Sequence, residues 1–396
     1  MHESRGLGDV YKRQDMMSTN NISDIKAYEI IDNRGMPTIR VAVCVDGRFW
    51  GHADVPSGSS TGSYEAMELR DGDSRYRGKG VLNAIQNIHD VLLPELRGQD
   101  AGNQKAIDSR MLALDGTETK SNLGGNAILG VSLAVACAAA NACGKPLYRY
   151  LNADARVLPV PQACLLHGGV HAGNDLDIQE VCVRPTGART FAESVQILCE
   201  TFYSLKDILR DKVGKSATNS GEDGGFAPPI SSTRQAMDLL CEAVQRSGYT
   251  DKVVYGLDFA ASGYYNPQKA TYAFEGSQKA RDEMIAFIKK LLTEYPSIVS
   301  IEDPLDENDL EGMRVLTDAF SKHLVIGDDM FATNIKRIQK GLDHGAGNAT
   351  LCKVNQIGTL TEASETVDFA RRNNFAVVMS ERSGETEDSV LSDISV

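Results

Sequence analysis

No stretch of this sequence gathers basic charge: 41 Lys and Arg stand against 54 Asp and Glu, a net charge of −13 at pH 7. Without a basic stripe to neutralise phosphates, the composition argues against nucleic acid and anionic membrane surfaces as partners. No CxxC spacing occurs among the eight cysteines (Cys44, Cys137, Cys143, Cys164, Cys182, Cys199, Cys241 and Cys352), and most lie inside apolar runs. They read as reduced core thiols of a cytosolic protein, not as a disulfide framework or a zinc site. Internal sequence repeats and low-complexity tracts are also missing. The most apolar helical segment, Ala127–Ala140, is interrupted by Ser132. It falls short of the roughly 18 residues of a membrane span, so it reads as a buried helix with Gly144 as its C-cap.

What is present suits an ordinary globular protein, 42% hydrophobic and 24% charged, and 396 residues suffice for two domains. Residues 1–15 match nothing downstream, lack the apolar core of a signal peptide, and read as translated vector or adapter sequence ahead of a start at Met16 or Met17. Residues 16–155 read as an α+β domain. It opens with three strand-like runs and an Asp46-Gly47 hairpin signal, and helical patterns follow at Val81–Leu96 and Asn103–Leu114. The Gly/Ser loop from Pro56 to Ser63 is either a linker or a mobile lid whose amides and hydroxyls reach a ligand. Val157–Pro161 reads as the connection to a second domain, 156–396. There a helix over Thr190–Lys212 is expected to bury Phe191, Val195, Leu198, Phe202, Leu205 and Leu209, and another helix is expected at Thr233–Arg246.

The second domain repeats one pattern five times between Val253 and Ser383: an apolar run ends in a charged or hydroxyl residue, and a helix-period segment follows. The runs end near Asp258, Glu302, Asp328, Lys353, and Arg382 with Ser383. Continuous apolar strands alternating with helices predict a parallel sheet, and polar side chains at successive C-terminal strand ends are what a (β/α) barrel offers a substrate. Singly, each acid could be only a helix cap. Three acids, a lysine and an Arg-Ser pair at corresponding points are harder to dismiss. Two motifs are set aside. Gly72–Lys79 has the wrong glycine spacing for a phosphate loop, and His167 and His171 have the i, i+4 spacing of a helical zinc pair, but Gly168-Gly169 makes a helix there improbable.

Several segments together resemble the enolase family. They are Asp32–Thr38, Ser57–Gly62, Glu68–Asp73, Asp177–Glu180, Ser300–Asp303, Gly327–Asp329, Lys353–Gly358 and Arg382–Asp388, and the likeness runs from Ile22 to Val396. The resemblance implies conversion of 2-phosphoglycerate to phosphoenolpyruvate in glycolysis, with two Mg²⁺ per active site. It implies Asp258, Glu302 and Asp328 on the tighter ion, Ser60 joining the second ion as the lid closes, and Lys353 as the base. Arg382 and Ser383 would hold the phosphate. His171, Gln179 and Glu180 would line the site near the leaving hydroxyl, and Asp223 would help to protonate it. A cytoplasmic homodimer is the family expectation, and a (β/α) barrel after an α+β domain is the expected fold.

The chain departs from the family pattern near the chemistry. Gly221-Glu222-Asp223-Gly224-Gly225 stands where the family has Gly-Asp-Glu-Gly-Gly, so Asp223 is one methylene short. Glu381 replaces a histidine beside the phosphate, Gly173 an Asp, and His167 an Asn. The family also continues through one more βα unit, which carries a second lysine. We therefore expect a barrel lacking its last unit, read as a truncated frame, and a poor enolase. The alternative reading is a catalytically weak relative with a binding role.

Overall fold

The computed structural model describes residues 20–396, so the expected leader at 1–15 and the start at Met16 or Met17 lie outside the described residues. The chain begins with an antiparallel meander of β1 (Ile22–Ile31), β2 (Pro37–Val45) and β3 (Phe49–Asp54). Asp46 and Gly47, at φ 52° and 69°, turn β2 into β3, and the Arg48 amide donates to the Val45 carbonyl at 3.1 Å. Two consecutive positive φ values match the right-handed twist of the strands they join.

The helix Gly125–Ala142 lies across this sheet. A Cβ on Gly51 would stand 2.0 Å from the Ala138 amide nitrogen, and one on Gly130 would stand 2.6 Å from Val41 Cγ2, so glycine sets the closeness of helix and sheet. The helix reaches 18 residues, which corrects the expected shorter span: by length and composition it passes as a membrane span. Ser132 does not interrupt it, because its buried hydroxyl accepts from the Leu360 amide at 3.0 Å. Ile128, Leu129 and Val131 are fully buried inside the domain. The pattern over Val81–Leu96 forms three pieces, Leu82–Asn87, a wider π turn Ile88–Leu92, and Leu93–Leu96. Pro94, with no N–H to offer, sits just beyond that wider turn.

The second unit is a curled sheet of seven strands. Its first three are β4 (Ala163–His167), β5 (Glu180–Arg184) and β6 (Val254–Asp258). A small antiparallel sheet follows, of β7 (Tyr265–Asn266), β8 (Thr271–Phe274) and β9 (Ser277–Ala280), which the periodicity did not suggest. The large sheet resumes with β10 (Ile298–Glu302), β11 (Leu324–Gly327), β12 (Ala349–Cys352) and β13 (Ala376–Met379), in the order β13-β12-β11-β10-β6-β5-β4. All five apolar runs became parallel strands. β5 alone runs against the other six, being antiparallel to both β4 and β6. Among the described residues no hydrogen bonds join β13 to β4, and the side chains of β13 are only half-buried. The barrel is therefore open at that edge.

Helix Phe191–Lys212 starts at the Thr190 cap, but its buried face runs through Ser194, Ile197, Thr201, Leu205 and Ile208. Of the expected positions Leu205 and Leu209 are buried and Leu198 and Phe202 pack against the core, whereas Phe191 and Val195, in the first turns, are more than 40% exposed. The two units share more than a linker. Cys352, Val354, Leu360 and Ala363 belong to the core around β1–β3, and Asp108 accepts from the Thr361 amide at 3.0 Å.

Candidate active site

Parallel strands deliver their last residues to one rim. Across β6 and β10, Asp258 and Glu302 are register partners; Asp328 follows β11 directly, and Lys353 follows β12. The reversed strand β5 adds its first residue, Glu180, opposite Asp258, and Gln179 Nε2 donates to Asp258 Oδ2 at 2.8 Å. Lys353 Nζ donates to Asp328 Oδ2 at 2.5 Å, while Gln356 Nε2 donates to Oδ1 at 2.8 Å. The Glu302 carboxylate has no hydrogen-bond partner among the described residues.

Burial raises Asp258 to about 8, helped by the negative charges of Glu180 and Asp328. Burial also lifts Glu302 well above the usual range, with Asp258 and Asp328 adding to it. Asp328 is pushed up by burial, but Lys353 outweighs that and leaves it below its ordinary value. Burial lowers Lys353, and Asp328 more than reverses the effect.

Asp258, Glu302 and Asp328 do not form a set with donor atoms within 4.8 Å of one another, whereas Asp303, Asp328 and Asp329 do. Lys353 is the charge partner of Asp328. Asp258 and Glu302, both raised by burial and by the charge of Asp328, together with Asp328 make an all-oxygen donor set that fits a hard divalent cation. Asp303 supports them by accepting from the amides of Asp328 at 3.0 Å and Asp329 at 2.7 Å.

The Gly/Ser loop is tied to the loop after β13. Ser57 and Gly384 exchange two backbone hydrogen bonds, both 2.9 Å, and the Ser59 amide donates to Ser383 Oγ at 2.9 Å. Arg382 donates to the Ser60 carbonyl at 2.7 Å, pairs with Glu65 at 2.8 Å, and reaches Asn355 Oδ1 at 3.0 Å. Arg34 donates to Ser383 Oγ at 3.2 Å. Glu65 was not singled out in the sequence. Its signal is local: three residues after Gly62, its carboxylate accepts the Gly62 amide at 2.9 Å. The loop is thus more than a linker.

Arg382, His171, Asp223, Glu381 and Ser383 line a cleft of ≈ 870 Å³, and Lys353 lines a second of ≈ 830 Å³ with Glu302, Gln179, Glu180 and Ser60. His171 Nδ1 lies 3.0 Å from Asp223 Oδ2 and 3.6 Å from Glu180 Oε1. Burial lowers His171, yet these two carboxylates raise it to about 10 overall. Burial raises Asp223, and the His171 contact outweighs it. Glu381 faces the cleft and is raised by desolvation, then by Glu180 and Asp223.

His167 and His171 were set aside because no helix would hold them together, and none does. Strand β4 ends at His167, Gly169 turns at φ 54°, and the rings stand 6.0 Å apart. A Cβ on Gly168 would lie 2.2 Å from the Leu176 carbonyl, so the turn requires that glycine. The reasoning from helical spacing therefore missed a loop-built pair.

Comparison with known proteins agrees with this arrangement. The family models described as enolase, N-terminal domain and enolase, C-terminal TIM barrel domain match residues 22–151 and 155–396. The chain belongs to the enolase family. An enolase of Methanocaldococcus jannaschii is 50% identical over 376 residues, 95% of this chain and 88% of the relative. Enolases of Methanococcus maripaludis and Thermococcus kodakarensis are 49% and 48% identical over 377 and 379 residues, each again covering 95% of this chain and 88% of the relative. As an enolase the chain is a lyase of the phosphopyruvate hydratase type with a divalent-metal requirement, and its substrate is a phosphorylated small molecule.

Proposed function

We propose that this enolase dehydrates 2-phospho-D-glycerate to phosphoenolpyruvate with two Mg²⁺ per active site. The observation that carries the reading is Lys353 bonded to Asp328, both coupled electrostatically to the carboxylates of Asp258 and Glu302. Lys353 takes the proton beside the substrate carboxylate, which requires it to lose its own proton and its hold on Asp328. Asp258, Glu302 and Asp328 would hold one Mg²⁺ and Ser60 would join the second, and bound there the ions would supply positive charge where negative charge builds on that carboxylate. Arg382 and Ser383 bind the phosphate, Arg382 through its two-pronged guanidinium. Gln179 orients Asp258. Glu180, Asp223 and His171 form a hydrogen-bonding group that passes a proton to the departing hydroxyl.

In this reading the enzyme is slow. Asp223 has a shorter reach than glutamate, and Glu381 repels an anionic substrate in the cleft. The division into domains 16–155 and 156–396, a homodimer and a cytoplasmic location belong to the same reading. The test is coupled detection of phosphoenolpyruvate with Mg²⁺ and with a chelator. Slow, Mg²⁺-dependent turnover supports the proposal. Turnover unaffected by the chelator would remove the carboxylates from the chemistry. No turnover at all would favour the second reading, a catalytically weak relative with a binding role, which the crowd of acids around Glu381 favours.

A further inference from the structure

One cluster at the cleft adds His167, which the proposed reaction does not use, to the three side chains of the proton-passing group. His167, His171, Glu180 and Asp223 bring one donor atom each within 4.8 Å of the others. His167 is fully buried and His171 is 6% exposed. His167 Nε2, His171 Nε2 and Asp223 Oδ1 have no hydrogen-bond partner among the described residues, while His171 Nδ1 is taken up by Asp223 Oδ2 at 3.0 Å. Buried imidazoles and carboxylates are ordinarily satisfied, so this concentration of unpaired groups calls for an explanation.

We propose that these four side chains form a site for a borderline divalent cation of the zinc kind, beside the carboxylates assigned to Mg²⁺. The spacing fits. Ligand atoms of a tetrahedral zinc site with bonds of about 2.0–2.1 Å stand about 3.3–3.4 Å apart. The known separations are 3.0 Å for His171 Nδ1 to Asp223 Oδ2, 3.6 Å for His171 Nδ1 to Glu180 Oε1, and 3.9 Å for His167 Nδ1 to Asp223 Oδ2. The chemistry fits as well. Two imidazoles and two carboxylates suit Zn²⁺, whereas Mg²⁺ prefers six oxygens. Cys164 Sγ, 3.6 Å from His167 Nδ1, is the nearest competing contact of that nitrogen. Bound zinc engages Glu180, Asp223 and His171 together, so it inhibits by occupying the groups nearest the leaving hydroxyl. The binding claim does not depend on the chain being active.

The experiment is Zn²⁺ titration of the full chain by calorimetry in excess Mg²⁺, repeated on His167→Asn, with Co²⁺ absorption as a second measurement. The expected result is one Zn²⁺ per chain, an affinity weakened by roughly 100-fold or more in the variant, and intense tetrahedral Co²⁺ bands without a thiolate charge-transfer band. Zinc affinity unchanged in His167→Asn, or no zinc retained in Mg²⁺, overturns the proposal. So does a weak six-coordinate Co²⁺ spectrum, or a thiolate band pointing to cysteine. If His167→Asn does not fold, the Co²⁺ spectrum of the unaltered chain decides.

Discussion

Arg382 Nη2 donates to the backbone carbonyl of Ser60 at 2.7 Å, so the arginine assigned to the phosphate also holds the loop that would close over it. A substrate phosphate would compete with that carbonyl and with Glu65 for one guanidinium. Binding and loop position are therefore coupled.

Gly58→Ala tests this coupling. Its Cβ would lie 1.8 Å from Arg382 Nη2, so the guanidinium must move. We expect KM for the phosphorylated substrate to rise on the order of 10-fold, with a smaller change in kcat. Steady-state kinetics over a substrate range measures the split. An unchanged KM would free the phosphate from Arg382.

The metal-free protein should lose stability as pH rises. Asp258 has a folded pKa of about 8, against an unfolded value of about 3.9, so the folded state binds more protons between these limits. Its contribution is lost as pH climbs through that window. Asp329 and Glu385, each raised to about 7, push the same way. Asp258→Asn should flatten part of the decline in Tm between roughly pH 5 and 8 in chelator, and Mg²⁺ should flatten the decline in the unaltered chain. Equal slopes in all three would show that Asp258 is not strained by its neighbours.

Removing the proposed base should stop proton abstraction while leaving binding. Lys353→Met should lower kcat by roughly 10²–10⁴-fold. Loss of solvent-deuterium exchange at the carbon beside the substrate carboxylate separates this from a failure of the hydroxyl to depart. Exchange at the usual rate would assign the base elsewhere.

Asp223→Glu and Glu381→His should each raise kcat/KM, and the pair should raise it by an amount different from the product of the single gains. Each repairs one defect of a shared reaction centre, at about 10–100-fold apiece. No gain from either would mean that Asp223 reaches its target as it stands.

The parallel strands and their polar ends were legible because a strand buried on both faces must be apolar throughout, and the interruption marks the rim. Asp258, Glu302, Asp328 and Lys353 stood out for that reason. The reversal of β5 was not legible, since a strand reads the same in either direction, and it is this reversal that brings Glu180 opposite Asp258. The helix Phe191–Lys212 shows another limit. Its period was visible, yet Phe191 and Val195 faced solvent while Ser194 and Thr201 were buried, because the stripe is set by what packs against it. The His167–His171 pair was lost to the assumption that i, i+4 spacing needs a helix.

The paired hydrogen bonds between Ser57 and Gly384 join residues from far apart in the sequence. Such a closure cannot form until both units have condensed, because its entropic cost is repaid only once the intervening chain is ordered. The catalytic rim should consequently be the last part of the molecule to mature. On dilution from denaturant, the single tryptophan, Trp50 on β3, would report its surroundings settling before turnover returns. The interval between those two signals would time the arrival of the loop.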